Sequence, residues 1–118
     1  VVGEVNRFLG DRVAVFVDAG VARERIVLDP GFGFGKTLEH NLTMLRRLAE
    51  FRRAGLPLLA GMSRKSMLGM ITGRPVDQRL ASSIAAAMIA AQHGASILRV
   101  HDVAETRDAL AILLAAGA

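Results

Sequence analysis

Three short, mainly apolar runs alternate with amphipathic segments along the chain, and this alternation constrains the fold more than any other feature. The runs cover residues 25–28, 57–62 and 95–100. Strands that are apolar on both faces are typical of parallel sheets, because the crossover helices cover both sides of the sheet. The sequence therefore predicts an α/β fold with about three parallel strands and flanking helices.

Apolar residues that recur every three or four positions fill the intervals between these runs and predict helices. Helices are predicted over residues 2–19, 38–51, 67–71, 77–93 and 104–116. Gly20, Gly55 and Gly94 stand where three of these helices are expected to end. Asp77 is predicted to be the N-cap of the alanine-rich helix.

The composition is unusually apolar for a domain of 118 residues. Hydrophobic residues make up 52% of the chain and 12 further residues are glycine, whereas the combined class normally reaches about 45–50%. A disordered tail is excluded, because such segments lack apolar residues. We expect more apolar surface than a small monomer can bury.

Charge and cysteine content limit the function further. The chain has no cysteine, which favours a reducing cytoplasm. Its net charge of +4 favours an anionic small molecule as ligand. A nucleic-acid partner is disfavoured because Trp and Tyr are absent and the arginines form no patch interleaved with aromatic residues. Residues 1–4 do not resemble a signal peptide, and residues 80–98 contain too many polar residues for a membrane span. No His or carboxylate spacing indicates a metal site formed by this chain alone.

The most unusual residues follow the three predicted strands. In parallel α/β folds, ligands bind at the carboxyl ends of the strands. The segments at these ends are Asp29 with residues 31–36, residues 63–65, and residues 99–102. Their convergence predicts one functional site.

Residues 30–37 contain alternating glycines before a helix, which suggests a phosphate-binding loop. The spacing argues against it, because a P-loop needs glycine at position 30, which is Pro30, and a dinucleotide motif needs glycine at position 36, which is Lys36. A simple glycine turn is an alternative, although it leaves Phe32 and Phe34 unexplained. A ring flanked by glycines could approach a flat ligand closely.

Each polar residue at the strand ends has two interpretations. Asp29 either forms an ordinary turn or accepts two hydrogen bonds from an aminopyrimidine edge, and Ser63 either caps a turn or lines the site. Lys65 is either a solvated lysine or faces the same site. Arg99 and His101 would share one face of a strand and suit a phosphate or pyrophosphate. The alternative for Arg99 is an ion pair with Asp29 or Asp102.

Three segments resemble the dihydropteroate synthase family of the bacterial folate pathway. They are residues 28–36, 61–66 and 99–103, and their order and spacing agree across nearly the whole chain. The resemblance implies a TIM-type (β/α)8 barrel, of which residues 1–118 would be the C-terminal, pterin-binding portion with strands six to eight. It also implies a transferase that condenses p-aminobenzoate with 6-hydroxymethyl-7,8-dihydropterin pyrophosphate, giving 7,8-dihydropteroate and pyrophosphate.

The resemblance also implies roles for the strand-end residues. Asp29 would hold the aminopyrimidine edge of the pterin, and Lys65 would bind its carbonyl and ring-nitrogen side. Arg99 would lie against the pterin face and bind the pyrophosphate together with His101. Lys65, Arg99 and His101 would thus be the catalytic residues.

A second group of residues would surround the other substrate. The resemblance implies that Gly33, Phe34 and Ser63 shape the p-aminobenzoate pocket, where sulfonamides compete, and that Gly61 is a further substrate-binding residue. Mg²⁺ is expected to reach the site through the pyrophosphate, with its protein ligand upstream of this chain. The family's tendency to dimerise makes the helix at 77–93 an interface candidate, with packing on the sheet as the alternative.

Two other function classes stay open from the residues alone. One is a phosphate- or nucleotide-binding enzyme of flavodoxin-like type, and the other is a non-catalytic interaction module. The chain by itself is expected to lack synthase activity, because the remaining pterin-binding residues and two flexible loops of the family would lie upstream.

Overall fold

A computed structural model describes residues 1–33 and 36–117 of the chain. The helices are α1 (Val2–Asp18), α2 (Leu38–Arg46), α3 (Ser66–Thr72), α4 (Leu80–Gln92) and α5 (Val103–Ala115), the strands are β1 (Leu59–Ala60) and β2 (Ile97–Leu98), and short 3-10 helices cover Arg23–Arg25, Leu48–Ala54 and Val76–Gln78. The α/β class predicted from the alternating pattern is therefore confirmed.

The strands β1 and β2 pair in parallel, with Leu59 opposite Ile97. Leu28 adds a parallel bridge to Leu58, formed by hydrogen bonds from the Leu28 amide to the Pro57 carbonyl (2.9 Å) and from the Leu59 amide to the Leu28 carbonyl (2.8 Å). Leu28, β1 and β2 thus lie side by side in chain order. The parallel arrangement predicted from the apolar runs is confirmed.

The first predicted strand is shorter than expected. Instead of a strand over residues 25–28, the chain forms the 3-10 helix Arg23–Arg25, and the Ile26 amide bonds back to the Arg23 carbonyl. Local turn bonds therefore occupy the groups that would extend pairing with β1. The sequence predicted about three strands, and the described residues form two strands and one isolated bridge.

Two predicted helices also differ from the structure. The expected helix over residues 38–51 ends at Arg46 and continues as the 3-10 helix Leu48–Ala54. There the Glu50 amide bonds to the Arg47 carbonyl and the two side chains form an ion pair. Residues three apart are eclipsed in a 3-10 helix, so this pair favours the tighter turn. Gly55 ends the segment with φ +71°, as the glycine predicted.

The alanine-rich helix begins three residues later than predicted. Asp77 lies inside the 3-10 helix Val76–Gln78, and Arg79 occupies the N-cap of α4. The prediction that Asp77 is the N-cap of this helix was therefore wrong. The 3-10 helix follows Pro75, whose fixed φ suits the start of a turn.

The core forms where α2 and the 3-10 helix that follows it face the strands. Met44, Leu48, Phe51 and Leu58 are fully buried there, and Ala90 of α4 reaches the same cluster. Ala86 of the same helix also belongs to this cluster. The stripe of apolar residues predicted for the helix beginning at residue 38 is therefore the main face of the core.

Apolar side chains also remain at the surface, as the composition predicts. Phe8 and Phe16 of α1 and Ile112 and Leu114 of α5 are exposed. The accessible surface is 7082 Å², compared with about 6,200 Å² expected for a compact monomer of this mass. Within the described part of the chain, no helix combines the length and apolar character needed to span a bilayer.

Candidate functional site

The residues that follow the three paired segments come together at one edge of the sheet. Asp29 follows the bridging Leu28, Gly61 follows β1, and Arg99 follows β2. The Arg99 amide continues the ladder by donating to the Ala60 carbonyl at 3.0 Å. Because parallel strands end at the same edge, residues far apart in the chain become neighbours here.

Asp29 makes two contacts, one with its own turn and one across the sheet. Its Oδ1 accepts a hydrogen bond from the Gly31 amide at 2.9 Å, and its Oδ2 lies 3.5 Å from Arg99 Nη1. Asp29 therefore forms both the turn and the ion pair with Arg99 that the sequence offered as interpretations. The side chains are 37% and 57% exposed, so a ligand can reach both, and the pair adds little stability.

Gly61 gives Arg99 its position. A Cβ built on Gly61 would lie 2.7 Å from Arg99 Nη2 and 2.9 Å from Nε. The guanidinium therefore lies across the end of β1 in space that only glycine leaves open. This contact supplies a physical reason for glycine at a position that only the family resemblance had marked.

The Lys65 side chain extends from the segment after β1 to the loop of residues 30–37, called the glycine loop below. Its Nζ donates to the Phe32 carbonyl at 2.5 Å, and its Cδ lies 3.6 Å from where a Cβ on Gly33 would stand. Burial lowers the pKa of Lys65, the Arg99 charge lowers it further, and Asp29 acts in the opposite direction. Lys65 is thus a partly desolvated cation rather than a freely solvated one.

The glycine loop is fixed from the inside. The Phe32 ring is 1% exposed and belongs to the core, so the prediction that it approaches a ligand was wrong. A phenyl ring is more stable in the core than exposed on a loop, because burial removes its apolar surface from water. The turn at Gly33, with φ +91°, allows the chain to place the Phe32 ring in the core. Phe34, the other predicted aromatic residue, lies outside the described residues.

Asn41 is a structural residue of the site that sequence reasoning missed. It is buried on α2, and its Oδ1 accepts a hydrogen bond from the Gly33 amide at 2.8 Å. The sequence feature that could have identified Asn41 is its place on the apolar stripe of α2, three positions after Leu38, where a polar residue is unexpected. Lys36 holds the other side of the loop, since its Nζ donates to the Gly31 carbonyl at 2.7 Å.

Ser63 and His101 connect the ends of the two strands. The Ser63 Oγ lies 2.9 Å from His101 Nδ1 and accepts a longer hydrogen bond, 3.3 Å, from the His101 amide. Asp102 does not pair with Arg99, the second alternative from the sequence, because it accepts a bond from Arg64 Nη2 at 3.0 Å. The imidazole is therefore oriented by a hydroxyl group rather than by a carboxylate.

The side chains of Ser63, Lys65, Arg99 and His101 border one cavity. It has a volume of about 320 Å³ and is lined by Gly61, Ser63, Lys65, Arg99, Val100 and His101. A larger cavity of about 480 Å³ lies beside α1, away from the strand ends. We assign the chemistry to the smaller one, because cations, an imidazole and a hydroxyl group converge there.

The charges at the site favour a ligand with two kinds of group. Lys65 and Arg99 are cations that suit an anion such as a phosphate, whereas Asp29 suits a donor edge of the N–C–NH₂ type. The described residues contain no cluster of three or more His, Cys, Asp or Glu side chains that could hold a metal ion. The site thus has the donors and acceptors for a polar, anionic organic molecule.

Residues 1–101 match the family model described as pterin binding enzyme. The dihydropteroate synthase of Escherichia coli strain K12 is 52% identical over 113 residues, which cover 96% of this chain and 40% of that protein. The dihydropteroate synthase of Haemophilus influenzae is 51% identical over 112 residues, covering 95% of this chain and 41% of that protein. The chain thus spans about two fifths of the length of these relatives.

Solved structures of similar chains agree with the fold closely. Dihydropteroate synthase from Xanthomonas albilineans in complex with 7,8-dihydropteroate superimposes with a TM-score of 0.96 at 48% identity, covering 98% of this chain and 45% of that one. The same enzyme with 4-aminobenzoic acid gives 0.96 at 48% identity, covering 98% and 43%. The Yersinia pestis dihydropteroate synthase with a sulfonamide drug gives 0.95 at 49% identity, covering 98% and 42%.

Proposed function

The chain belongs to the pterin-binding enzyme family, and we propose that it forms the C-terminal part of the barrel of a dihydropteroate synthase, with Leu28, β1 and β2 on strands six to eight. The proposed reaction joins 6-hydroxymethyl-7,8-dihydropterin pyrophosphate to p-aminobenzoate. The observation that carries the proposal is the convergence of Asp29, Lys65, Arg99 and His101 at the ends of parallel segments. No other part of the described chain combines these groups.

The chemistry requires displacement at one carbon. The amine nitrogen of p-aminobenzoate forms a bond to the methylene carbon of the pterin, the C–O bond to pyrophosphate breaks, and pyrophosphate leaves with the electron pair. The nitrogen then loses a proton to solvent or to the departing pyrophosphate. Cations that stabilise the leaving group and a pocket that orients the weak nucleophile suffice for this step.

The proposed pterin contacts use the charges at the sheet edge. Asp29 accepts hydrogen bonds from the aminopyrimidine edge, while Lys65 Nζ, now bound to the Phe32 carbonyl, donates to the pterin carbonyl and ring nitrogen. Arg99 packs against the ring and binds pyrophosphate together with His101. The Ser63 hydroxyl supports that role by holding Nδ1 of the imidazole, which leaves Nε2 for the anion.

The proposed p-aminobenzoate pocket lies between the glycine loop and Ser63. Gly33 is exposed there with a positive φ, and Phe34 is the third residue of the proposed pocket. Sulfonamides would compete at the same place, in keeping with the sulfonamide complex of the similar Yersinia enzyme. A flat aromatic amine can approach the backbone at Gly33 because glycine has no side chain of its own.

The described residues also bear on where a magnesium ion would bind. Asp29 is the carboxylate at the cavity edge and is already bound to the Gly31 amide and Arg99, so the described residues do not fit a magnesium site of their own. We propose that Mg²⁺ would reach the site only through the substrate pyrophosphate, held by residues outside this chain.

We also propose that the protein is a cytoplasmic homodimer with α4 at its interface.

A two-substrate assay on the full-length protein tests the function. Pyrophosphate release is expected only when both the pterin pyrophosphate and p-aminobenzoate are present, with competitive inhibition by a sulfonamide. A melting temperature raised by ATP but not by the pterin would favour the nucleotide-binding alternative. An interaction module would be indicated if Asp29→Ala and Lys65→Ala left every ligand response unchanged.

Substitution of Gly61 tests the proposed role of Arg99. In Gly61→Ala the new Cβ would push the guanidinium away from Asp29 and the cavity. We expect the KM for the pterin pyrophosphate to rise about tenfold, the loss of one charged hydrogen bond, with little change in melting temperature. Gly10→Ala is the matched control, because nothing lies within 4 Å of its Cβ; an equal effect of both variants would contradict the assignment.

The lowered pKa of Lys65 predicts a pH dependence. Since kcat/KM reports the free enzyme, its alkaline decline is expected below the ordinary lysine pKa of 10.5. The folded pKa lies below the unfolded one, so the unfolded chain binds more protons between the two values and the contribution of Lys65 to stability rises with pH there. Lys65→Arg should remove the alkaline decline of kcat/KM, measured from pH 7 to 10.5. A decline that persists in the variant would assign it to another group.

A further inference from the structure

The turn that joins Ser63 to Lys65 has an unusual backbone. Among residues 1–33 and 36–117, Arg64 is the one non-glycine residue with a positive φ, 59°. An L-residue adopts this left-handed conformation only when surrounding contacts compensate for its strain. The turn directs Ser63 and Lys65 into the cavity, while the Arg64 side chain turns outward to Asp102.

The start of α4 supplies those contacts. The Arg64 amide donates to Ser83 Oγ at 2.9 Å, and the same hydroxyl donates to the Arg79 carbonyl at 2.5 Å. The Arg64 carbonyl accepts a hydrogen bond from Arg79 Nη1 at 2.9 Å. Both backbone groups of the strained residue are therefore bound by two residues of one helix start.

The two supporting residues are themselves fixed. Ser83 is buried, with 6% exposure, and its hydroxyl both accepts and donates. The guanidinium of Arg79 also donates from Nε to the Arg74 carbonyl, and it lies against Gly69, where a Cβ would clash with it. Neither residue lines the cavity of about 320 Å³.

We propose that Ser83 and Arg79 are positioning residues for the synthase reaction, because they hold Arg64 in the left-handed conformation that presents Ser63 and Lys65 to the substrates. The proposal rests on the proposed function and adds to it two residues outside the substrate cavity. Without the Ser83 hydroxyl the Arg64 amide loses its partner, and the turn is expected to relax toward a right-handed conformation. Ser63 and Lys65 would then leave their positions together.

Ser83→Ala in the full-length enzyme is the first test. We expect kcat/KM for both substrates to fall about tenfold, the effect of leaving a part-buried donor without its partner. Ser82→Ala is the matched control, since the neighbouring hydroxyl also donates to the Arg79 carbonyl but is not the acceptor of the Arg64 amide. Its kcat/KM should stay within twofold of the unmodified enzyme.

Rescue by glycine separates positioning from general stability. Glycine adopts a positive φ without strain, so adding Arg64→Gly to Ser83→Ala is expected to restore kcat/KM to the value of Arg64→Gly alone. A merely structural loss at Ser83 would not be restored by glycine at position 64. If Ser83→Ala fails to fold, Arg79→Lys tests the carbonyl side of the turn with the same rescue and the same expected loss.

The outcomes are distinguishable. If the unmodified enzyme forms dihydropteroate and Ser83→Ala remains fully active, or if Arg64→Gly rescues nothing, the positioning proposal is overturned while the proposed function stands. If the unmodified full-length enzyme forms no dihydropteroate, the proposed function is overturned, and the positioning proposal with it.

Discussion

Asp29→Ala in the full-length enzyme is expected to lower kcat/KM for the pterin pyrophosphate at least about a hundredfold. In the proposed function the Asp29 carboxylate accepts two hydrogen bonds from the aminopyrimidine edge of the pterin, and each hydrogen bond to a charged group contributes about 1.5–3 kcal/mol. Two such bonds correspond to a loss of about 10² to 10⁴. The substitution also removes the partner of Arg99, whose Nη1 lies 3.5 Å from the Asp29 Oδ2.

Steady-state kinetics and calorimetric titration with a pterin measure this effect. Asp29→Asn should be nearly as damaging, because it keeps the size of the side chain but puts an amide donor where an acceptor is needed. Asp108→Ala, which removes an exposed carboxylate on α5, is the control and should leave both measurements unchanged. Pterin affinity that survives both Asp29 substitutions would refute the assigned role.

The 118-residue chain alone is expected to self-associate and to form no measurable dihydropteroate. Its accessible surface exceeds the value for a compact monomer, and large apolar side chains such as Phe8 and Ile112 (72% exposed) lie on it. The residues that a (β/α)8 barrel of about 250 residues would place beside Leu28 and β2 are not part of this chain. Unpaired strand edges and apolar faces then promote association.

Light scattering at several concentrations measures the association, and the two-substrate assay measures the activity. We expect a mass of at least twice 12.6 kDa, rising with concentration. In the variant Phe8→Ser with Ile112→Ser the mass should fall, whereas Glu4→Ser with Glu105→Ser, at exposed polar positions, is the control and should not lower it. A monomer of 12.6 kDa, or turnover by the chain alone, would contradict the prediction.

Local features were predictable because they depend on near neighbours. The glycine at position 55 adopts the left-handed conformation that ends its segment, as the sequence predicted. The order of strands and helices follows from hydrophobic period alone. The same local reasoning wrongly predicted Asp77 as the N-cap of α4. Asp77 lies instead in the 3-10 helix that follows Pro75 and precedes α4.

Contacts between distant residues were decided by the tertiary structure. The sequence by itself determined an α/β chain with parallel strands and polar residues at their carboxyl ends, because apolar period and turn chemistry act over a few residues. Only the side-by-side arrangement of Leu28, β1 and β2 set Arg99 over Gly61 and beside Asp29. It also buried the Phe32 ring. Such contacts depend on which segments become neighbours, and the residues that make them carry no local signal of their partners.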